Sequence, residues 1–164
     1  MTHPTILAES LTHIEGIELA PEIAGYPAAV RHHPAHRRLA KAKRIPPEIA
    51  AEMERFALDW EMVEGGAHEV GSGGEGGRTR EEVMTGAIAR VERALARVGI
   101  FAIRRVIVPT CVECRPAWET ARDLGYAGPV ETDREQRAAR EWLDDRLPPL
   151  LAQMTGIPLE GPAR

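Results

Sequence analysis

Four polar side chains near the C-terminal end have the types and spacing to read a polyanion. Arg134, Gln136, Arg137 and Arg140 project from one side of a stretch whose other side carries Ala138, Ala139, Trp142, Leu143 and Leu147. Guanidinium and amide groups on a helix in the major groove reach base edges and phosphates. A second group lies in residues 31–44 (RHHPAHRRLAKAKR), which hold six Arg or Lys and no acid. Arg31, Arg37, Arg38, Lys41, Lys43 and Arg44 have the charge to contact phosphates. A solvated basic stretch would have the same composition.

Other constellations carry less chemistry. Cys111 and Cys114 have the spacing of half a structural zinc site, but no second cysteine pair follows. Only His32, His33, His36 or His68 could complete it, so the expectation is two small side chains at a helix turn, with no metal. The three clustered histidines could titrate near neutral pH, but the expectation is surface residues without a role. Asp144 and Asp145 come late in a helix, where carboxylates are unfavoured, and read as partners for Arg140 or Arg146. There is no G-x-S-x-G, H-E-x-x-H, Walker or G-x-G-x-x-G sequence. The chain is therefore expected to be no enzyme and to need no cofactor.

Helices must position these groups. Pro46 and Pro47 open one, because a missing N–H costs nothing in a first turn. Ile49, Met53, Phe56, Trp60 and Val63 share its inner face, and Gly65 and Gly66 end it. Seven of the thirteen residues from Gly65 to Gly77 are glycine, which predicts a flexible linker over 65–78. Thr79 and Glu82 form a capping box. Behind it Met84, Ile88, Val91, Leu95 and Val98 repeat the helical spacing up to Gly99, with Arg90, Arg93 and Arg97 on the outer face. Residues 100–108 (IFAIRRVIV) suit a helix that Pro109 bends or ends, although Val106-Ile107-Val108 could be a short strand. Pro116 to Leu124 reads as a further helix stopped by Gly125. Ala121 lets a neighbouring helix approach, and the glycine takes a left-handed turn. Thr132-Asp-Arg-Glu135 is a second capping box, and it starts the helix that presents the four polar residues. Pro148 and Pro149 bend or stop that helix. Trp118 and Trp142 are expected to pack between the last two helices.

The fold class that follows is all-α: a small helical bundle ending in a helix-turn-helix-like pair. Residues 1–45 form an irregular arm, 46–150 the helical domain and 151–164 a tail. The 164 residues are enough for one core without staples. No apolar run approaches the roughly 20 residues a membrane span needs. The opening MTHPTILAESLTHIEG lacks the basic and apolar regions of a signal peptide, and two cysteines fit a reducing compartment, so a cytoplasmic location is expected. The aromatic fraction is only 4%, which leaves little for single-strand binding by stacking.

The second half resembles the helix-turn-helix regulators of alphaproteobacterial prophages and gene transfer agents, whose DNA-binding module is similar to region 4 of sigma factors. The likeness rests on an ordered series: Ala50-Ala-Glu-Met-Glu-Arg-Phe56, Ala89-Arg-Val-Glu-Arg-Ala-Leu95, Val98-Gly99 and Val106 to Cys111. It continues through Ala121-Arg-Asp-Leu-Gly-Tyr126 and Arg140-Glu-Trp-Leu143, and so covers roughly residues 40–150. The resemblance implies an all-helical, sequence-specific regulator that binds double-stranded DNA, encoded by a phage or mobile element. The alternative is a protein-binding adaptor or inhibitor docking on RNA polymerase or another host protein. The charge count motivates it: six Arg stand against eight Asp or Glu between Arg115 and Leu147.

Overall fold

A computed structural model describes the backbone of residues 17–19, 30–65 and 79–159, with side chains from residue 33 onward within those spans. The fold is all-α, as expected. Among the described residues the one strand pairing is a pair of three-residue strands, β1 (Ile17–Leu19) and β2 (Val30–His32), antiparallel with Glu18 opposite Arg31. The rest of the expected arm up to residue 29, the side chain of Arg31 and residues 66–78 of the expected linker lie outside the described residues.

The first helix, α1 (Ala35–Lys41), corrects the expectation of irregular chain up to residue 45. Pro34 precedes it in an extended conformation, and Ala35, His36 and Leu39 bury one face in the core. Helix α2 (Pro47–Glu64) starts at the expected proline and buries Ile49, Met53, Phe56 and Trp60. Asp59 is buried on the same face.

Helix α3 (Arg80–Ala102) begins at the Thr79 capping box, with both reciprocal hydrogen bonds in place. Its buried stripe is Ala87, Val91 and Ala94, while Met84, Leu95 and Val98 are half-buried and Ile88 is exposed. The expected stripe is therefore rotated. Two alanines flanking Val91 let α2 approach closely, and the larger side chains move to the edges of the contact. Regular helix is broken at Gly99, where φ is 87° and ψ 160°. No Cβ could be added there without strain, because L-residues rarely adopt that region.

The chain then enters a π-helical segment (Ile103–Val112) with Pro109 inside it. Proline lacks the amide an α-turn would use, and the wider turn accommodates that loss. The Glu113 amide donates to Val108 O, and the Arg115 amide to Pro109 O. The Thr110 hydroxyl donates to Val106 O at 2.6 Å. Ile103, Val106, Ile107, Val108 and Cys111 are buried, so this segment is central to the core.

Three helices complete the bundle: α4 (Ala117–Asp123), α5 (Asp133–Asp144) and α6 (Leu147–Thr155). Pro148 and Pro149 sit in the first turn of α6 rather than simply stopping α5. Leu147, Leu151 and Met154 are buried, which corrects the expected tail: the packed domain extends through α6. Burying each such side chain contributes about 1.5–3 kcal/mol. Gly156, in the left-handed region at φ 74°, caps α6.

Candidate nucleic-acid interface

The α4–α5 pair holds the expected recognition helix. Ala121 is fully buried where α4 meets its neighbours, and Gly125 takes φ 103°, the left-handed turn expected of it. The Tyr126 amide donates to Ala121 O, and the Gly125 amide to Arg122 O. Together these bonds satisfy the last carbonyls of α4 in a Schellman arrangement. The connection then runs to Thr132, longer than the three or four residues of a tight helix-turn-helix.

The start of α5 is fixed by its capping box. Glu135 accepts the amides of Glu131 and Thr132 at 2.9 and 3.0 Å, and the Thr132 hydroxyl accepts the Glu135 amide. Those backbone amides hold the Glu135 carboxyl below its ordinary pKa. Gln136 is half-buried and donates from Nε2 to Val130 O, so it braces the connection. Ala139 and Leu143 are fully buried. Ala138, expected on the core side, is exposed, which narrows the packed face of α5.

Trp142 is gripped at the far end of α5. Tyr126 meets it edge-on with ring centroids 5.6 Å apart, and the Arg146 guanidinium lies 3.7 Å from its centroid. Arg146 also donates to Trp142 O. Trp118 and Trp142 are half-buried against the core.

Of the four expected DNA-contacting residues, Arg134 and Arg137 are exposed. Arg140 is half-buried and engaged with the protein. Two guanidinium groups with no ion pair among the described residues thus share the outer surface of a helix whose inner surface is locked. Their spacing of three places them one turn apart on the same face.

The basic stretch is largely committed to the scaffold. Arg37 forms a two-pronged pair with Glu54 of α2, whose carboxyl is held down at about 2, chiefly by that guanidinium. Arg38 binds both oxygens of Asp144 at 3.0 and 2.6 Å, and Arg44 reaches Asp145 at 2.7 Å. Asp144 and Asp145 therefore find partners at the opposite end of the chain, in Arg38 and Arg44. Lys41 and Lys43 remain exposed.

His36 is buried, in contrast to the surface position expected for it. Its Nε2 is 2.9 Å from Glu54 Oε1, while Nδ1 is buried without a hydrogen-bond partner among the described residues. Burial lowers its pKa against the opposing pull of Glu54. Cys111 packs nearby, its thiol pushed up to about 11 by burial, and Cys114 is half-buried. His33 is half-buried, and His68 and the side chain of His32 lie outside the described residues. Among the described residues no three His, Cys, Asp or Glu side chains converge as metal ligands would.

Two further pairings were legible only in part. Arg90 binds buried Asp59 through Nε and Nη2 at 2.7 and 2.9 Å, and Arg97 donates to Met154 O. A carboxylate three residues after Phe56, inside the apolar stripe of α2, was the available signal for the first. Among the described residues no helix is long and apolar enough to cross a membrane. Compared with protein-family models, curated proteins and solved structures, the chain matches none.

Proposed function

We propose that the protein is a sequence-specific, DNA-binding transcription regulator of phage or mobile-element type, reading the major groove of double-stranded DNA with α5. The reading is carried by Arg134 and Arg137, exposed together on a helix whose capping box, Leu143 and Trp142 fix its orientation. A guanidinium pair held this way can make bidentate contacts to guanine or fork onto phosphates. Lys41 and Lys43 are the exposed phosphate contacts of the basic stretch that form no ion pair among the described residues, since Arg37, Arg38 and Arg44 are engaged in ion pairs.

Fluorescence anisotropy against pooled random duplexes, from low to physiological salt, tests this. The expected result is affinity that falls steeply with salt yet selects a reproducible subset of sequences. Arg134→Ala with Arg137→Ala should abolish the selection while the fold is kept. Selection unchanged in that double variant removes α5 as the reader.

A protein-docking reading has its own observation. Phe101 is 66% exposed and Ile100 52%, side by side just past the Gly99 break. Under this reading the chain is an adaptor or inhibitor acting on a polymerase or another host protein. Absence of duplex binding at low salt, together with a stoichiometric protein partner that survives nuclease and high salt, favours it.

A further inference from the structure

A cleft on a different part of the bundle from α5 is lined by side chains of α2, α3 and α6. Its cavity volume is about 180 Å³. Arg90, Arg93 and Arg97 enter it from α3, at positions i, i+3 and i+7 and hence along one face. Arg55 enters from α2. The apolar wall is Phe56, Ala94 and Met154, and the two carboxylates are Glu52 and Asp59.

Four guanidinium groups thus face two carboxylates, a surplus of two positive charges in a chain whose net charge is −4. Asp59 is neutralised in place by Arg90, which binds both of its oxygens. Glu52 only approaches Arg55, at 3.7 Å within one helix turn. Arg97 holds Met154 O with one nitrogen. Arg93 is exposed and has no hydrogen bond or ion pair among the described residues. Gly156 packs against Arg97: a Cβ there would lie 3.2 Å from three guanidinium atoms.

Like charges one turn apart on a helix repel each other. An anion in the cleft would relieve that repulsion and occupy donors that the protein leaves unused. Guanidinium groups match the oxygens of phosphate bidentately, and a nearby apolar wall strengthens the attraction by excluding water. The volume is below the roughly 300 Å³ of an ordinary small-molecule site, so it suits a single phosphoryl group better than a whole nucleotide.

We propose that this cleft is a binding site for a phosphate monoester, taking the dianionic phosphoryl group between Arg55, Arg93 and Arg97 with the remainder of the ligand outside. The site is independent of the DNA reading and stands or falls separately.

Thermal unfolding of the full chain at pH 7.5 and constant ionic strength tests it, with inorganic phosphate, ribose 5-phosphate or dimethyl phosphate replacing chloride. Phosphate and ribose 5-phosphate are expected to raise Tm by roughly 5–10 °C at a hundredfold excess over Kd. The singly charged diester should give a much smaller rise. Arg55→Ala with Arg93→Ala should remove the effect, because both side chains are exposed and the fold does not rest on them. Arg134→Ala with Arg137→Ala should leave it intact. A rise retained in the Arg55/Arg93 variant, or no rise above chloride, overturns the proposal. A rise from the diester equal to that from the monoester also overturns it, and assigns the cleft to a phosphodiester backbone instead.

Discussion

Arg38 and Asp144 are 106 positions apart in the chain and meet through two hydrogen bonds, Nε to Oδ2 at 3.0 Å and Nη2 to Oδ1 at 2.6 Å. Their side chains are 18% and 10% exposed, so the pair is largely withdrawn from water. It ties α1 to the C-terminal end of α5, where a lone carboxylate would face the unsatisfied carbonyls of the helix. Arg38→Ala leaves Asp144 buried without its counter-charge, and about 3–5 kcal/mol of stability should be lost. Urea unfolding checks this. A double-mutant cycle with Asp144→Asn should show strong coupling, and additive losses would mean that the two groups act separately.

Acid should weaken the fold in two steps. Unfolded His36 titrates near 6.5, whereas burial lowers the folded value. The unfolded chain therefore binds the extra proton first. The stability that rests on neutral His36 is complete above about 6.5 and is lost as pH falls through the lowered value. The groups around it, Arg37 on α1, Glu54 on α2 and Cys111 on the π segment, do not themselves titrate between pH 5 and 7. Glu54 adds the second step, as its ordinary value of 4.5 is held down at about 2. Denaturant midpoints measured from pH 8 to 2 should bend downward below 6.5 and again below 4.5, and His36→Leu should flatten the first step. A wild-type curve that His36→Leu leaves unchanged would assign the bend to another histidine.

The two thiols should differ in reactivity by more than their spacing suggests. Cys111 is 2% exposed with its thiol at about 11, so almost none is thiolate at neutral pH. Cys114 is half-buried just past the end of the π segment, at φ 55°. Iodoacetamide on the native protein, read by mass spectrometry, should modify Cys114 first and Cys111 only once the chain is unfolded. Equal rates at the two positions would show that the π segment opens readily.

Gly125→Ala places a Cβ at φ 103°, outside the regions L-residues favour. No atom lies within 4 Å of that Cβ, so the penalty is backbone strain alone. The cost should be at least about 1 kcal/mol. It should appear as a lower Tm together with weaker duplex selection, because this residue sets the direction in which the chain leaves α4. A variant as stable as the parent would mean that the connection relaxes freely.

How far the sequence disclosed this depended on the range of each interaction. The capping boxes at Thr79 and Thr132, the prolines opening α2 and the turn at Gly125 are local, and local chemistry determines them. The stripe of α2 was legible because large apolar residues recur at one spacing. That of α3 was read one position off, since Ala87 and Ala94 bury little area yet permit close helix contact. The basic stretch was legible as charge but not as scaffold. Nothing local indicates that Arg38 and Arg44 meet two acids a hundred residues later. Arg134 and Arg137 were placed correctly on the outer face of α5. Gln136 and Arg140 were not equally free, because the long connection and the bundle engage them.

The wide turns of the π segment have a consequence for changes in chain length. A π turn holds one residue more than an α turn spanning the same hydrogen-bonded step. Between Ile103 and Val112 the main chain therefore carries a reserve that α2, α3 and α5 lack. Loss of one residue here could be absorbed by tightening to ordinary α geometry, without breaking the helices on either side. Pro109 resists that tightening, since an α turn would crowd its ring against the preceding carbonyls. Among the described helical segments, this is where the length of the chain is most open to adjustment, and Pro109 is what keeps it at its present value.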